Sequence, residues 1–322
     1  MRTIDAPTAD QIEEARARIV DAAVRTPLVR LEVDAPFEMY LKLECLQPIG
    51  SFKIRGASNA MAAAPRESLA RGVSTASAGN MAQGVAWNAR RLGVPCTVVI
   101  PDRAPEAKRA AIERLGGTLI AVPFDRWWQA LVDHGFPGVD GVFVHPVSDT
   151  MVMAGNGTVG LEILDDLPAV DVVLVPFGGG GLSCGVASAL RGRGSNARVI
   201  ACEVETAAPL WRAFRDGKPT QGSYTPSFVD GIGSTGVLEE MWPLARALLD
   251  RAVPVTLREI ADAIKLLVER ARVVTEGAGA AGVAAALSGR ASLRPGDKVV
   301  VVISGGNIDT VKLAAILRGE IP

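Results

Sequence analysis

Lys53 is the residue of this sequence whose setting best suits nucleophilic chemistry. It lies between Phe52 and Ile54, shortly after Pro48 and Gly50, which favour a turn. A lysine is ordinarily protonated up to a pKa of about 10.4. Apolar surroundings disfavour the charged form, and the neutral amine can then attack a carbonyl carbon. The alternative is a lysine at the start of a helix on a solvated face, and this stretch alone leaves both interpretations open.

Three further segments carry small and polar residues that could bind a ligand. They read SAGNM at 77–81, PFGGGGLS at 176–183 and SGGN at 304–307. Each follows a predicted strand, and open α/β sheets bind ligands beyond the carboxyl ends of their strands. We therefore expect these segments to contribute to one site.

The segment 77–81 precedes a predicted helix, and its small residues leave backbone amides free to point outward. Free amides at a helix N-terminus bind an anion such as a carboxylate. The side chain of Asn80 can donate or accept one more hydrogen bond. An ordinary helix N-cap is the alternative interpretation.

Four consecutive glycines occupy residues 178–181. Backbone can approach an oxyanion closely where no Cβ intervenes, so the run predicts a phosphate cradle, with a tight turn as the alternative. No Gly-Lys-Ser/Thr follows, and Ser183 or Cys184 stands where a dinucleotide-binding motif needs its third glycine. The G-x-G-x-x-G matches that begin at Gly155 and Gly277 follow no clean strand, so we expect no nicotinamide cofactor.

Ser304 follows the apolar predicted strand 299–303, and its hydroxyl can make one neutral hydrogen bond to a ring nitrogen. A helix cap is again the alternative. Together these residues could bind a ligand that has an aldehyde for Lys53, a phosphate for 178–181, a ring nitrogen for Ser304 and a phenolic oxygen for Asn80. One ligand carries all four groups, and that ligand is pyridoxal 5′-phosphate.

Strand and helix signals alternate along the chain. Predicted strands cover residues 41–44, 73–77, 96–100, 118–122, 142–145, 172–175, 199–202 and 299–303, and predicted helices include 81–92, 106–115 and 157–166. Capping boxes at Thr8 and Thr256 open two more helices. This alternation predicts an α/β architecture with right-handed crossovers, while composition marks no domain boundary.

The composition limits the class of protein. The chain has 322 residues, of which 48% are hydrophobic and 21% charged, so it can bury a sizeable core. A net charge of −1 argues against nucleic-acid binding, and no run of 18 apolar residues predicts a membrane helix. No apolar segment of the secretory type follows Met1, and four widely spaced cysteines suit free thiols, so we expect a cytoplasmic location. Two histidines exclude a multi-histidine metal site.

In the order and spacing of its motifs the chain resembles the serine/threonine dehydratase family of pyridoxal-phosphate enzymes. Members include threonine deaminases, serine dehydratases and serine racemases, which share the tryptophan synthase β-like fold (fold type II). The resemblance is carried by residues 50–57, 77–80, 178–181 and 304–307. It implies two domains of twisted, mostly parallel sheets flanked by helices, with the cofactor in the cleft between them. Residues 1–52 plus 149–322 would form the large cofactor-binding domain, and 53–148 the small substrate-binding domain.

The resemblance also implies a role for each matching residue. Lys53 would carry the cofactor as a Schiff base and later remove the α-proton, and Phe52 would pack against the ring. Asn80 would face the 3-hydroxyl and Ser304 the pyridine nitrogen. The phosphate would be bound by the amides of Gly178, Gly179, Gly180, Gly181 and Leu182. The substrate would be bound by Ser51, Ser77, Ala78, Gly79, Asn80 and Met81.

The implied reaction is β-elimination from a β-hydroxy amino acid such as L-threonine or L-serine, giving a 2-oxo acid and ammonia. A neutral serine partner leaves the pyridine largely unprotonated, which limits the ring as an electron sink and favours elimination. A small amino-acid substrate and a homodimer are expected, with no nucleic-acid or membrane partner.

Three residues depart from the family pattern. Ala78 stands where serine racemases carry a second serine, which argues against racemisation. Met81 replaces the usual histidine, which suggests a bulkier substrate of the 3-phenylserine type. Some relatives bind a divalent cation. Glu203 and Ala207 match residues of that cation site, but Pro209 stands where those relatives have a carboxylate. We therefore expect no tight Mg²⁺ site, and a weaker cation site at Glu203 and Ala207 stays open.

The alternatives are a lyase for a bulky or unusual β-substituted amino acid, a racemase on the same scaffold, and a non-catalytic pyridoxal-phosphate-binding protein. Retention of Lys53, Asn80 and the carboxylate segment together argues against the last of these.

Overall fold

The computed structural model describes residues 3–322, which form two mostly parallel β-sheets flanked by helices. Met1 and Arg2 lie outside the described residues. Both belong to the predicted large domain, and both belong to the N-terminal segment in which no secretory signal is expected. The strands are β1 (Leu28–Leu31), β2 (Glu38–Lys42), β3 (Val73–Ala76), β4 (Cys96–Pro101), β5 (Thr118–Val122), β6 (Val142–Phe143), β7 (Val172–Pro176), β8 (Arg198–Val204), β9 (Arg251–Val255) and β10 (Lys298–Val302).

The helices alternate with these strands as the sequence predicts. They are α1 (Ala9–Arg18), α2 (Lys53–Ala63), α3 (Arg66–Ala70), α4 (Asn80–Leu92), α5 (Glu106–Arg114), α6 (Phe124–Asp133), α7 (Thr150–Asp166), α8 (Gly181–Gly192), α9 (Pro209–Asp216), α10 (Trp242–Leu248), α11 (Leu257–Leu266), α12 (Gly277–Leu287) and α13 (Thr310–Leu317). Both predicted capping boxes form, at Thr8 and at Thr256. A π-helical turn, Leu267–Ala271, extends α11.

The larger sheet has the strand order β1-β2-β10-β7-β8-β9, in which β1 pairs antiparallel to β2 and the other pairs are parallel. Its central strands are buried on both faces. In β10, Val299 and Val301 pack into the core on one side, and Val300 and Val302 pack into the core on the other. The fully apolar sequence of this strand therefore reflects helices covering both faces, as expected of a parallel sheet.

The smaller sheet has the order β5-β4-β3-β6, and its pairs are parallel. Its strands lie within residues 73–143, and those of the larger sheet lie within 28–42 and 172–302. The larger sheet is thus built from chain on both sides of the smaller one, which confirms the predicted α/β class.

The two G-x-G-x-x-G matches lie inside helices, where they serve close packing. A Cβ at Gly160 of α7 would come within 2.9 Å of the Val186 carbonyl oxygen in α8. A Cβ at Gly282 of α12 would lie 2.6 Å from a methyl carbon of Val301. These glycines let the helices approach their neighbours, so the sequence matches do not mark nucleotide-binding turns.

None of the helices within residues 3–322 is both long and apolar enough to cross a membrane.

Candidate active site

A cavity of about 480 Å³ lies at the carboxyl ends of strands from both sheets. The three predicted ligand-binding segments line it together with Phe52 and Lys53. A second cleft, of about 420 Å³, lies at the amino ends of β7, β8 and β10. There Arg198 and Asp297 pair with each other at 3.2 Å. The groups suited to chemistry are therefore gathered at the carboxyl ends, as the α/β architecture predicts.

Lys53 begins α2 and reaches into the cavity. Its Nζ donates a hydrogen bond to the carbonyl oxygen of Pro146 at 2.6 Å and lies 5.3 Å from the ring centroid of Phe52. Burial lowers the pKa of Lys53 to about 8, and the negative charge of Glu276 opposes this shift. The neutral amine is thus more accessible near neutral pH than that of an exposed lysine, as a nucleophile requires.

A buried charge network anchors the first turn of α2. The guanidinium of Arg55 donates to both carboxylate oxygens of Glu44, at 2.7 and 2.8 Å, and to both of Glu162, at 2.7 and 2.9 Å. Lys42 completes the network with a 2.6 Å ion pair to Glu162. Arg55 is two residues from Lys53, so these contacts also hold the candidate nucleophile in place.

The glycine segment connects β7 to α8 and leaves a row of amides without partners. Gly180 has a φ of +100°, a conformation that favours glycine. Within the described chain, no protein acceptor is found for the amides of residues 178–183, including that of Leu182. A Cβ at Gly179 would lie 2.6 Å from a Val147 methyl. Free amides at a helix N-terminus suit a phosphate, so this segment fits the predicted cradle.

Ser304 lies just beyond β10 and is buried, at 2% exposure, while still lining the cavity. Its carbonyl oxygen accepts from the amide of Phe52 at 3.0 Å. In residues 3–322 its hydroxyl makes no hydrogen bond, which leaves that group available to a ligand. Ser51 pairs through its backbone with Gly305 and is fully buried, outside the lining of the cavity.

The segment 77–81 forms the N-terminal turn of α4. Ser77 Oγ accepts from the amide of Gly79 at 3.2 Å, and Ala78 lines the cavity beside them. The side chain of Asn80 donates to Glu276 at 2.9 Å and accepts from Asn307 at 2.8 Å. Its second amide hydrogen is the one left for a ligand.

Met81 lines the cavity at 1% exposure. Most of its side chain packs into the core of the smaller sheet, together with Val85 and Val98. Its thioether therefore shapes the cavity wall while it also fills that core.

Glu276 is a site residue that the sequence did not reveal. It precedes α12 and is buried beside Asn80, and its pKa is raised to about 7, first by burial and then by the negative charge of Asp230. The available signal was an acid directly before a glycine-rich helix. A single carboxylate of that kind has no local pattern that distinguishes it from a helix cap.

An aromatic cluster on α6 forms another wall of the cavity, and it too was not predicted. Phe124, Trp127, Trp128 and Leu131 line the cavity at helical spacings of three and four residues. The ring centroids of Phe124 and Trp127 are 5.4 Å apart, and those of Trp127 and Trp128 are 6.4 Å apart. That spacing in the sequence was the signal for an amphipathic helix.

The two histidines lie together at the edge of the site. Their rings stack with centroids 4.3 Å apart, and buried His145 lines the cavity. The Nδ1 of His145 accepts from the amides of Val147, at 3.1 Å, and Ser148, at 2.7 Å. In this arrangement Nδ1 acts as a hydrogen-bond acceptor.

Glu203 serves a structural purpose. One carboxylate oxygen accepts from the amide of Leu210 at 2.9 Å, and the other accepts from that of Trp211 at 2.7 Å, so Glu203 caps α9. Ala207 bridges to Val204 through its backbone. The described residues contain no cluster of three or more His, Cys, Asp or Glu side chains placed to hold a metal ion. Both carboxylate oxygens of Glu203 are thus already used as hydrogen-bond acceptors.

Known proteins resemble the chain over nearly its whole length. A family model described as pyridoxal-phosphate dependent enzyme matches residues 19–305. The L-threonine ammonia-lyase of Thermotoga maritima is 42% identical over 316 residues, which are 97% of this chain and 78% of that protein. The catabolic L-threonine dehydratase of Staphylococcus aureus is 37% identical over 314 residues, which are 95% of this chain and 91% of that protein. The structure of maize serine racemase matches with a TM-score of 0.88 at 33% identity and covers 98% of each chain.

Proposed function

The chain belongs to the pyridoxal-phosphate dependent enzyme family, and from that premise we propose that it is an ammonia-lyase. Its reaction would eliminate the hydroxyl of a β-hydroxy amino acid such as L-threonine or L-serine and release a 2-oxo acid and ammonia. Relatives named L-threonine ammonia-lyase and L-threonine dehydratase, at 42% and 37% identity, support this reaction. The observation that carries it is the meeting of Lys53, the unpartnered amides of 178–183 and Ser304 around one cavity.

The residues of the cavity fit pyridoxal phosphate group by group. When bound, this cofactor supplies an electrophilic aldehyde and a conjugated ring that withdraws electrons from the attached amino acid. We propose that Lys53 binds at the aldehyde end and that the amides of 178–183 bind the phosphate. The Ser304 hydroxyl would contact the pyridine nitrogen, the free amide hydrogen of Asn80 would face the 3-hydroxyl, and Phe52 would lie against the ring.

Lys53 is also the proposed base for the α-proton. Because its pKa is about 8, the amine can accept a proton near neutral pH and then return it. Its hydrogen bond to the Pro146 carbonyl gives the protonated amine a resting position on the cavity wall.

The N-terminus of α4 is the proposed site for the substrate carboxylate. Among the described residues, no acceptor is found for the amides of Ala78, Asn80 and Met81. Three free amides at a helix N-terminus attract an anion. Their position fixes the amino acid by its carboxylate and leaves its β-substituent to contact the rest of the cavity.

Racemisation is the second candidate, because the structure of maize serine racemase matches the chain closely. A racemase needs a proton donor on the face of the substrate opposite the base. Ala78 has no hydroxyl to supply one at the position where serine racemases carry serine, which supports elimination as the main reaction.

The test is to assay 2-oxo acid release from L-serine, L-threonine and bulkier β-hydroxy amino acids with the purified, cofactor-loaded enzyme. We expect release from at least one of them and its loss in Lys53→Ala. Borohydride should fix the cofactor to Lys53. A colourless protein that gains no absorbance with added pyridoxal phosphate would disprove the proposal, and racemised substrate without 2-oxo acid would replace it with the second candidate.

We further propose that residues 1–52 plus 149–322 and residues 53–148 form the two domains, and that the protein is a cytoplasmic homodimer. The separate sheets support the division. The cysteines Cys45, Cys96, Cys184 and Cys202 are free thiols, which suits a reducing compartment. Light scattering of the purified protein would test the dimer.

A further inference from the structure

The cavity wall formed by α6 is aromatic, and it flanks the segment proposed to bind the substrate carboxylate. Helix α6 packs against β3 and β4. Strand β3 runs directly into the segment 77–81, so the rings of α6 and the free amides of α4 belong to the same end of the smaller sheet. The rings and the segment 77–81 line the same cavity.

The aromatic side chains leave apolar surface open toward the cavity. Phe124 is 58% exposed, and Trp127 and Trp128 are each half-buried although they contact one another. Leu131, one turn further along the helix, continues the wall. Large aromatic surfaces left uncovered beside a ligand cavity are typical of a site for an apolar group.

The charged groups of the cavity give an acidic β-substituent no good partner. Lys108 already forms a 2.7 Å ion pair with Asp230. Glu276 is buried and accepts a hydrogen bond from Asn80, so it offers no positive charge to an acidic group. Lys53 is assigned to the cofactor, and none of the residues lining the cavity is arginine. The wall therefore offers ring contacts in place of charge pairing.

We infer that the preferred substrate is a β-hydroxy amino acid whose β-carbon carries an aromatic ring, and that Trp127 and Trp128 select it. The inference rests on the proposed function, because it assumes that an amino acid binds with its carboxylate at α4. Elimination from such a substrate would give a 3-aryl-2-oxo acid and ammonia, with one water lost and one regained.

The selectivity can be measured apart from turnover by comparing L-phenylalanine with L-alanine. Neither has a β-hydroxyl to lose, so absorbance titration of the cofactor-loaded enzyme measures binding alone. We expect L-phenylalanine to bind about tenfold more tightly or better, since aromatic contacts add to the burial of the ring. In Trp127→Ala and Trp128→Ala the ratio of the two affinities should fall severalfold, and Trp128→Phe should retain most of it.

Trp87→Ala is the matched control. Trp87 lies on α4, outside the cavity lining, and contacts Arg91, so its loss should leave the ratio unchanged. Far-UV circular dichroism and cofactor absorbance of each variant would establish that it is folded and loaded.

Kinetics with L-threo-3-phenylserine and L-threonine separate this inference from the proposed function. A higher kcat/KM for 3-phenylserine, reduced in the two tryptophan variants, is the expected result. Turnover of L-threonine together with an affinity ratio near one would overturn the aromatic selectivity and leave the elimination activity standing. A preserved ratio without 2-oxo acid from any β-hydroxy amino acid would overturn the elimination activity and support the aromatic site.

Discussion

At Lys53 two opposing effects set the protonation of one amine. Burial lowers its pKa to about 8, and the negative charge of Glu276 opposes that lowering. The pKa of Glu276 is itself raised to about 7, so above that pH this carboxylate is mostly ionised and its effect on Lys53 is present. The pH at which Lys53 becomes a nucleophile therefore depends on a residue 223 positions away in the chain.

Replacing Glu276 should make Lys53 easier to deprotonate. In the apoenzyme, the rate of covalent capture of added pyridoxal phosphate should rise with pH around a midpoint near 8, the pKa of Lys53. In Glu276→Gln the negative charge that stabilises the protonated amine is lost. The midpoint should then move to lower pH by about one unit or less, as measured by stopped-flow absorbance.

Glu239→Gln provides the comparison, because Glu239 is exposed and lies outside the cavity lining. The pH midpoint of pyridoxal phosphate capture in Glu239→Gln should match that of the unmodified enzyme. A midpoint displaced to higher pH in Glu276→Gln would contradict the assignment.

At the scale of one element, α2 is held by ion pairs beneath the site. Arg55 makes two-pronged contacts with both Glu44 and Glu162, and Lys42 supplies a second positive charge. The sequence placed Arg55 beside Lys53 but gave no sign of its partners, which come from a turn before α2 and from α7. Buried charges of this kind are costly to leave unpaired.

Arg55→Met should therefore lower the free energy of unfolding by about 3–5 kcal/mol, because two buried carboxylates would keep only one cation. Urea unfolding of the cofactor-loaded enzyme measures the loss. Arg25→Met removes an arginine from the pairs with Asp165 and Asp166 at the surface, where Arg25 is 48% exposed. That change should cost about 1 kcal/mol or less. Equal losses of unfolding free energy in the two variants would show that the buried network beneath α2 stabilises the protein no more than a surface ion pair does.

Helices α4 and α6 show which features of the structure can be predicted from residues that are close in sequence. The start of α4 was predicted because small residues after an apolar strand form a recognisable pattern. Helix α6 was not assigned, although Phe124, Trp127 and Trp128 have helical spacing, because no capping residue marks its start and Pro123 precedes it. The role of Glu276 could not be predicted for a different reason. It depends on contact with Asn80, which is 196 residues away in the chain.

At the scale of the whole molecule, residues that follow strands of both sheets line the cavity, and the ion pair of Lys108 and Asp230 forms part of this lining. Lys108 comes from α5 beside the smaller sheet, and Asp230 comes from the long connection between α9 and α10 beside the larger one. Alternating strands and helices predicted the α/β architecture and the ends at which ligands bind, and the family resemblance implied the two sheets. They did not predict this contact, because the connection has no periodic pattern.

Lys108→Met should remove this ion pair from the cavity wall and raise KM by a small factor. The pair is 34% and 42% exposed, so its contribution is about 1 kcal/mol or less, which corresponds to about fivefold or less in KM. The difference from the unmodified enzyme should shrink as salt is added, because screening weakens exposed ion pairs. Steady-state kinetics at low and high ionic strength would measure the difference in KM. A KM difference that persists in high salt would assign Lys108 another role.

The position of β10 in the larger sheet has a consequence for synthesis of the protein. This strand lies between β2 and β7 in the sheet, and of the ten described strands it is synthesised last. Until β10 is synthesised, β2 and β7 each have an unpaired edge that the folded sheet does not have, and such edges are prone to pair with other chains. Ser304 follows β10 directly, so synthesis of the same short stretch completes both the larger sheet and the candidate cofactor site.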